Sequence, residues 1–168
     1  MAEIIPTTTV NDIIDLDLQV TRKKRFRFNK DDNRILELNT SDMNIVARIS
    51  EAYPKLNALQ EKASKLMEGL NPDENKDDPE ALIQDVATMA TRLKEVDTEM
   101  RQLLDYMFDS NVSEITAPDG SMYDPFNGSF RFEYIITLLM KQYEENLQSE
   151  FGKMEKQLKK HTAKYTRR

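Results

Sequence analysis

Residues 86–107, VATMATRLKEVDTEMRQLLDYM, contain the pattern that decides the fold. Apolar side chains recur there at alternating spacings of three and four, which places them on one stripe of an α-helix that faces another helix. We call this stripe the central seam; its members are Val86, Met89, Leu93, Val96, Met100, Leu103 and Met107. Asp78 and Pro79 are residue types favoured at an N-cap and at the first helical position. The sequence therefore predicts a long helix over residues 79–108.

A second stripe of this kind precedes it, within NTSDMNIVARISEAYPKLNALQEKASKLMEGLNP, residues 39–72. Its members are Ile45, Ile49, Ala52, Leu56, Leu59, Ala63, Leu66 and Leu70. One of the polar residues 40–42 can cap this helix, and Gly69 can end it. Pro54 lies inside and is expected either to kink the helix or to break it into two. The charged link that follows is short enough for the two helices to pair antiparallel.

Residues 23–39, KKRFRFNKDDNRILELN, alternate between apolar and polar side chains on either side of a polar turn. This pattern predicts a β-hairpin with Phe26 and Phe28 on one face of its first strand. Because an isolated hairpin is marginal in water, its apolar face is expected to rest on a helix.

The last helix is predicted to start near Ser129 and to run to about Lys164. Its stripe is Ile136, Met140, Tyr143, Leu147, Phe151, Met154, Leu158, His161 and Tyr165. The predicted fold is mainly α, with an N-terminal β-hairpin followed by a bundle of three long helices, the last projecting. We divide the chain into a flexible N-terminal arm (1–21), a hairpin plus helical body (22–152) and a basic C-terminal helical tail (153–168).

The 168-residue chain has a formal net charge of −6, but its charges are unevenly distributed. Residues 153–168 hold seven Lys or Arg and one acid, which leaves 17 basic and 29 acidic residues, or −12, on the rest. The tail cations include Lys156, Lys159, Lys160, Lys164, Arg167 and Arg168. A solvated helix end whose cations complement the helix dipole is the favoured interpretation. Binding to nucleic acid or to an acidic partner is the alternative.

The chain contains no cysteine, which excludes a disulfide framework, a thiol nucleophile and a zinc–thiolate site. No apolar run approaches the roughly 20 residues that span a bilayer. The first residues lack the basic and apolar regions of a signal peptide. We therefore expect a cytoplasmic protein without a membrane partner.

Residues 117–132, APDGSMYDPFNGSFRF, form the least regular stretch. Its two aspartates suggest a metal loop, but the oxygen-bearing side chains do not alternate as in a calcium loop, and Glu133 falls inside the next helix. The favoured interpretation is a turn at residues 118–120 and a helix cap at Ser129, with the phenylalanines packed on the helices. The loop is long for a connection, so a partner-binding role stays open.

The residues associated with catalysis form no recognisable pattern. His161 is the sole histidine and lies among lysines, where it is poorly placed to serve as a general base. The glycine motifs that bind phosphate are absent, and no pair stands out among the 30 acidic residues. We predict that the protein is not an enzyme and has no catalytic residue, cofactor or metal.

The order of these features resembles the small tail assembly chaperones of siphophages and prophages in Gram-positive hosts. The resemblance rests on the basic, aromatic hairpin RFRFNKDDNRILELNTSDM, the long helix after it, the helical body, the aromatic loop and the lysine-rich final helix. It covers most of residues 20–168 and is a likeness of layout, since the family has no catalytic motif. The acidic link NPDENKDDPE and the extended final helix depart from the family pattern.

The resemblance implies that the protein binds and solubilises the tape-measure protein, a long apolar helical chain, until tail-tube subunits polymerise around it. The implied partners are the tape-measure protein, the tail-tube protein or both, together with further copies of this chain. The predicted contact residues are Met89, Leu93, Met100, Leu103, Met107, Phe126, Phe130, Tyr134 and Met140. Methionine suits an adaptable apolar surface, and internal packing is the competing interpretation for each residue.

Two other functions compete with this one. The first is a self-assembling coiled-coil structural or scaffolding protein of a viral particle, which predicts a defined oligomer. The second is a nucleic-acid-binding module that uses the basic tail, whose affinity would fall steeply with salt. The charge of −12 on the rest of the chain argues against the second function.

Overall fold

The computed structural model describes residues 23–69 and 78–165, with side chains as far as residue 160. The predicted N-terminal arm, the acidic link, and the side chains of Lys164, Arg167 and Arg168 lie outside the described residues. The elements are β1 (Lys24–Arg27), β2 (Ile35–Leu38), α1 (Asn44–Glu68), α2 (Pro79–Phe108), α3 (Val112–Thr116), β3 (Pro125–Phe126), β4 (Ser129–Phe130) and α4 (Arg131–Tyr165). The predicted fold class, a hairpin followed by long helices, is confirmed.

The first hairpin pairs β1 and β2 antiparallel, as predicted. Leu36 and Leu38 of β2 are buried and belong to the core, so the apolar face of the hairpin lies against the helices. Arg34 fastens the hairpin to the rest of the chain by donating hydrogen bonds to the carbonyls of Ile115 (2.9 Å) and Thr116 (2.7 Å).

Helix α1 runs unbroken through Pro54, so the alternative in which proline divides this helix is wrong. The proline removes a single helical hydrogen bond, and α1 packs along α2 over much of its length. At its start, Asp42 accepts the Asn44 N–H (2.9 Å) and pairs with Arg48 (2.8 Å). Burial alone would raise the pKa of the Asp42 carboxyl, but the hydrogen bonds from Arg48 and Asn44 hold it below its usual value.

Helix α2 has the predicted bounds and the predicted cap, because the Asp78 carboxylate accepts the N–H groups of Glu80 (3.1 Å) and Ala81 (3.2 Å). The two halves of the central seam differ in how deeply their side chains are buried. Its C-terminal part, Val96, Met100, Leu103 and Met107, lies in the core, whereas its N-terminal part is half-buried or exposed. The reason is that α2 contacts α3 and α4, and that its buried residues share one core with Leu36 and Leu38 of the first hairpin.

The short helix α3 was not predicted. Asp109 ends α2 in a left-handed conformation (φ 49°), and α3 starts three residues later. Asp105, on the last turn of α2, accepts both the N–H (2.7 Å) and the hydroxyl (2.8 Å) of Ser113. This carboxylate satisfies donors at the start of α3, so a tertiary contact stabilises a helix too short to form alone.

A second, smaller hairpin precedes α4, where we had predicted only a loop. Strands β3 and β4 pair antiparallel around Asn127 and Gly128, whose φ angles are 49° and 81°. An Asn-Gly pair with both φ angles positive is the two-residue turn that suits a hairpin. The predicted cap at Ser129 is therefore wrong: Ser129 lies in β4, and Glu133 accepts the Phe130 N–H (3.0 Å) instead.

Helix α4 turns a slightly different face inward from the one predicted. Phe132, Ile135, Leu139 and Tyr143 are buried, whereas the predicted stripe residues Ile136 and Met140 are half-buried. Burial raises the pKa of Tyr143 to about 12, and its ring lies 6.0 Å from that of Phe108 on α2.

The end of α4 projects, as predicted. Phe151, Met154 and Leu158 are 51%, 55% and 65% exposed. Before this end, Asn146 donates hydrogen bonds to the Thr40 carbonyl (3.2 Å) and to the Ser41 hydroxyl (3.0 Å).

Two methionines on the predicted stripes give a matched test of this division between core and projection. Met100 is fully buried and Met154 is 55% exposed. We expect Met100→Ala to lower the free energy of unfolding by about 3 kcal/mol, since it leaves a cavity. We expect Met154→Ala to change it by less than about 0.5 kcal/mol. Urea denaturation followed by circular dichroism measures both, and equal losses would contradict the assigned core.

Candidate partner-binding surfaces

The irregular loop before α4 is held onto α2 by a pair of charged side chains one helical turn apart. Asp97 accepts the Ser121 hydroxyl (2.9 Å) and the Met122 N–H (2.5 Å). Arg101 pairs with Asp97 (2.7 Å) and donates to the carbonyls of Ala117 (2.9 Å) and Gly120 (2.6 Å). Both side chains are largely buried. They therefore satisfy backbone groups of the loop that a regular element would have satisfied by itself.

A second ion pair closes the loop from the side of α4. Arg131 donates to the Asp119 carbonyl (2.7 Å) and pairs with Asp124 (3.2 Å), which also accepts the Ser121 N–H (2.9 Å). Gly120 has a φ of 83°, and a Cβ there would collide with the Asp124 carboxylate. These contacts use the Asp124 carboxylate and the Asp119 backbone carbonyl for internal hydrogen bonds and ion pairing. Among the described residues, no group of three or more potential metal-ligating side chains comes together.

The aromatic residues of the loop divide into an inner and an outer group. Tyr123 and Phe132 are buried, and Phe130 lies against both of them with centroid distances of 5.8 and 6.0 Å. The Tyr123 hydroxyl has no hydrogen-bond partner among the described residues. Burial raises the pKa of this tyrosine, with Asp97 and Glu99 acting in the same direction.

The outer group forms an open cleft of about 370 Å³. The Phe126 and Tyr134 rings lie 4.9 Å apart and are 42% and 40% exposed, and Leu138, one turn further along α4, is 38% exposed. Phe28, at the start of the turn between β1 and β2, also lines the cleft. We call Phe28, Phe126, Tyr134 and Leu138 the aromatic cleft.

The structure separates the nine predicted contact residues into three groups. Phe126 and Tyr134 lie together in the aromatic cleft. Met100, Leu103 and Met107 are buried in the core, so this conformation does not offer them to a partner. The remaining four, Met89, Leu93, Phe130 and Met140, are half-buried. A heptad stripe does not distinguish core from binding surface, because both need an apolar helix face.

Sequence reasoning missed two members of the aromatic cleft, Phe28 and Leu138. Leu138 lies off the stripe assigned to the last helix, and the hairpin and α4 are separated by about a hundred residues in sequence. The Asn127-Gly128 pair was an available signal for the small hairpin that presents Phe126.

The basic tail is exposed through residue 160, where side-chain description ends. Lys153 pairs with Glu150 and Lys159 with Glu155, each at 2.6 Å. Lys156 and Lys160 are also exposed. Within the described part of the chain, no helix has the length and apolarity needed to cross a membrane.

Comparison with protein-family profiles, with curated protein sequences and with solved structures gives no match.

The Asp97–Arg101 pair provides a test of how the loop is held. We expect Asp97→Ala to cost about 2–3 kcal/mol of stability, because it leaves buried donors on Ser121, Met122 and Arg101 without an acceptor. The Met122 amide should then exchange with solvent much faster. Glu99→Ala, which removes an exposed pair with Lys62 at 3.3 Å, should cost less than about 1 kcal/mol.

Urea denaturation and amide hydrogen exchange measure these two effects. Unchanged protection of the Met122 amide in Asp97→Ala would contradict the role given to this carboxylate.

Proposed function

We propose that this protein is an assembly chaperone that binds an apolar helical client through the aromatic cleft. The observation that supports the proposal is an exposed apolar cluster beside a loop that is ordered by ion pairs. Phe126, Tyr134 and Leu138 are exposed by about two fifths each, although the loop beside them is ordered by two ion pairs.

Rigidity is what makes this cluster suitable for binding. A partner that docks on ordered side chains loses less conformational entropy than one that must first order them. Clustered exposed aromatic residues are also the groups that contribute most to protein–protein affinity when a partner buries them. A solitary exposed leucine would carry no such argument.

The shape of the cleft favours a helix as its occupant. One wall is α4, where Tyr134 and Leu138 are four residues apart and lie on the same face. The first hairpin, through Phe28, and residues 116–119 also line the cleft. An amphipathic helix laid in such a groove buries residues spaced by three and four along one face.

The nature of the client comes from the resemblance in layout. The tape-measure protein of a siphophage is a long helical chain with apolar stripes, which matches the chemistry of the cleft. The net charge of −6 on the chaperone would keep such a complex soluble by mutual repulsion. We therefore propose that the protein covers a tape-measure protein before tail-tube assembly and has no catalytic role.

The proposal is tested by recovering the client from the natural host. Tagged protein is isolated after infection or induction, with nuclease added, and its partners are identified by mass spectrometry. We expect a very long, helix-rich protein with many copies of the bait. The client, once identified, is coexpressed with Tyr134→Ser and with a control, Tyr53→Ser, which removes a 61% exposed tyrosine from α1.

We expect Tyr134→Ser to weaken client binding about 30-fold, since truncation of a central aromatic contact costs about 2 kcal/mol. Tyr53→Ser should bind as the wild type does. Recovery of the bait alone, or equal loss of binding in the two variants, would contradict the proposal.

A further inference from the structure

The turn of the small hairpin joins two residues that can react with each other. Asn127 is the only asparagine of the chain that a glycine follows. Asparagine side chains are among the thermally labile groups of proteins. They lose their amide fastest before glycine, because a residue without a Cβ leaves its backbone nitrogen open to the preceding side chain. Asn127 and Gly128 are therefore the pair at which the backbone can attack a side-chain amide.

The structure leaves both reacting groups of this pair accessible. Asn127 and Gly128 are exposed, and a Cβ added to Gly128 would meet no atom within 4 Å. Within the described part of the chain, neither the Asn127 side-chain amide nor the Gly128 N–H makes a hydrogen bond. No contact in the described ranges therefore holds the amide away from the nitrogen that follows it.

A related pair in the same loop, Asp119 and Gly120, shows the opposite surroundings. Arg131 donates to the Asp119 carbonyl (2.7 Å), and Arg101 donates to the Gly120 carbonyl (2.6 Å). A Cβ at Gly120 would collide with the Asp124 carboxylate. Ordered side chains thus fix the backbone of this pair, whereas the turn of the small hairpin has open space around it.

We propose that Asn127 and Gly128 form a self-modification site, at which the chain loses ammonia and acquires an isoaspartyl link. The Gly128 nitrogen, once deprotonated, attacks the side-chain carbonyl carbon Cγ of Asn127. A bond forms between these two atoms, the amide C–N bond breaks, and the amide nitrogen leaves as ammonia after taking up a proton.

Water then opens the resulting cyclic imide at one of its two carbonyls. Attack at the backbone carbonyl gives isoaspartate, in which the chain runs through Cγ, and attack at Cγ gives aspartate. In sum, the chain gains one water and loses one ammonia, and no electrons are transferred. The rate rises with pH, because the attacking nitrogen must lose its proton.

The paired hairpin opposes this reaction and so controls its rate. The φ angles of Asn127 and Gly128, 49° and 81°, belong to the tight turn between β3 and β4. Ring closure requires a different rotation of the backbone at Asn127. The hairpin pairs two residues with two, and the Phe126 ring rests against that of Tyr134 at 4.9 Å. Such short strands open at small cost, so the reaction proceeds in the molecules whose hairpin is open.

The isoaspartyl link changes the aromatic cleft. It adds one methylene carbon to the backbone of a two-residue turn, and such a turn sets the register of its strands. The pairing of Phe126 with Ser129 is then lost, and Phe126 no longer lies beside Tyr134. The reaction needs the chain alone, so the inference stands whether or not a client binds the cleft.

The test follows the Asn127 amide in the full chain during incubation at mildly alkaline pH and physiological temperature. Asn29 is the matched internal control: it is exposed and has a φ of 54°, but Lys30 follows it. Peptide mass mapping measures amide loss, and electron-transfer fragmentation separates isoaspartate from aspartate. We expect Asn127 to lose its amide at least about tenfold faster than Asn29, because glycine follows it.

Two tyrosine variants test the role of hairpin opening. Tyr134→Ser removes the ring on which Phe126 rests, and we expect it to speed the loss of the Asn127 amide by about threefold to tenfold, the value of an aromatic pair. Tyr53→Ser, which removes a 61% exposed tyrosine from α1, should leave the rate unchanged.

Nuclear magnetic resonance tests the effect on the cleft. Freshly prepared Asn127→Asp carries the charge of the product on a normal backbone, and aspartate tolerates a positive φ. We expect contacts between the Phe126 and Tyr134 rings in the wild type and in Asn127→Asp, and none in the purified isoaspartyl chain.

Three results would overturn the proposal. Equal amide loss at Asn127 and Asn29 would show that the turn is not a modification site. An unchanged rate in Tyr134→Ser would show that hairpin opening does not control the reaction. Ring contacts between Phe126 and Tyr134 that persist in the isoaspartyl chain would show that the cleft is not altered.

Discussion

The Asp97–Arg101 pair on α2 is the interaction on which the second half of the molecule depends. Its carboxylate and guanidinium hold Ser121, Met122, Ala117 and Gly120, so a loop rich in turn residues acquires a defined path. Along that path the Phe132 N–H donates to the Met122 carbonyl (3.0 Å), and the Phe132 side chain is buried in the core. Because the charges are largely buried, the loss of one partner would leave the other with uncompensated donors or acceptors.

The apolar side chains that the fold leaves exposed are as informative as those that it buries. The core combines residues of the first hairpin, α1, α3 and α4 with the second half of α2. Apolar side chains outside that region, at the aromatic cleft, at the start of α2 and at the end of α4, stay partly in contact with solvent and so contribute little to the stability of the fold. Their clustering, rather than their number, is what supports interaction surfaces, since isolated exposed apolar residues are common. The aromatic cleft is the surface at which we propose that a client binds.

Much of the fold was predictable because long periodic stretches determine helices strongly. The bounds of α2, its cap at Asp78, the first hairpin and the projecting end of α4 all follow from local patterns. The candidate site was only partly predictable. Phe126 and Tyr134 were expected to contact a partner, but their neighbours Phe28 and Leu138 were not. A contact between residues that are far apart in the sequence produces no pattern in the residues around either of them. The short α3 and the cap formed by Glu133 also depend on contacts that periodicity does not record.

By itself, the sequence determined the helices, their apolar stripes and the separation of negative from positive charge, because these depend on residues near one another in the chain. Only the tertiary structure decided which stripe residues are core and which are surface. Val86 and Met100 belong to one seam, yet Val86 is 43% exposed and Met100 is fully buried. The physical reason is that burial depends on which other elements contact the helix at that level. The buried residues of α2 begin at Val96 and share one core with residues of the first hairpin, α1, α3 and α4.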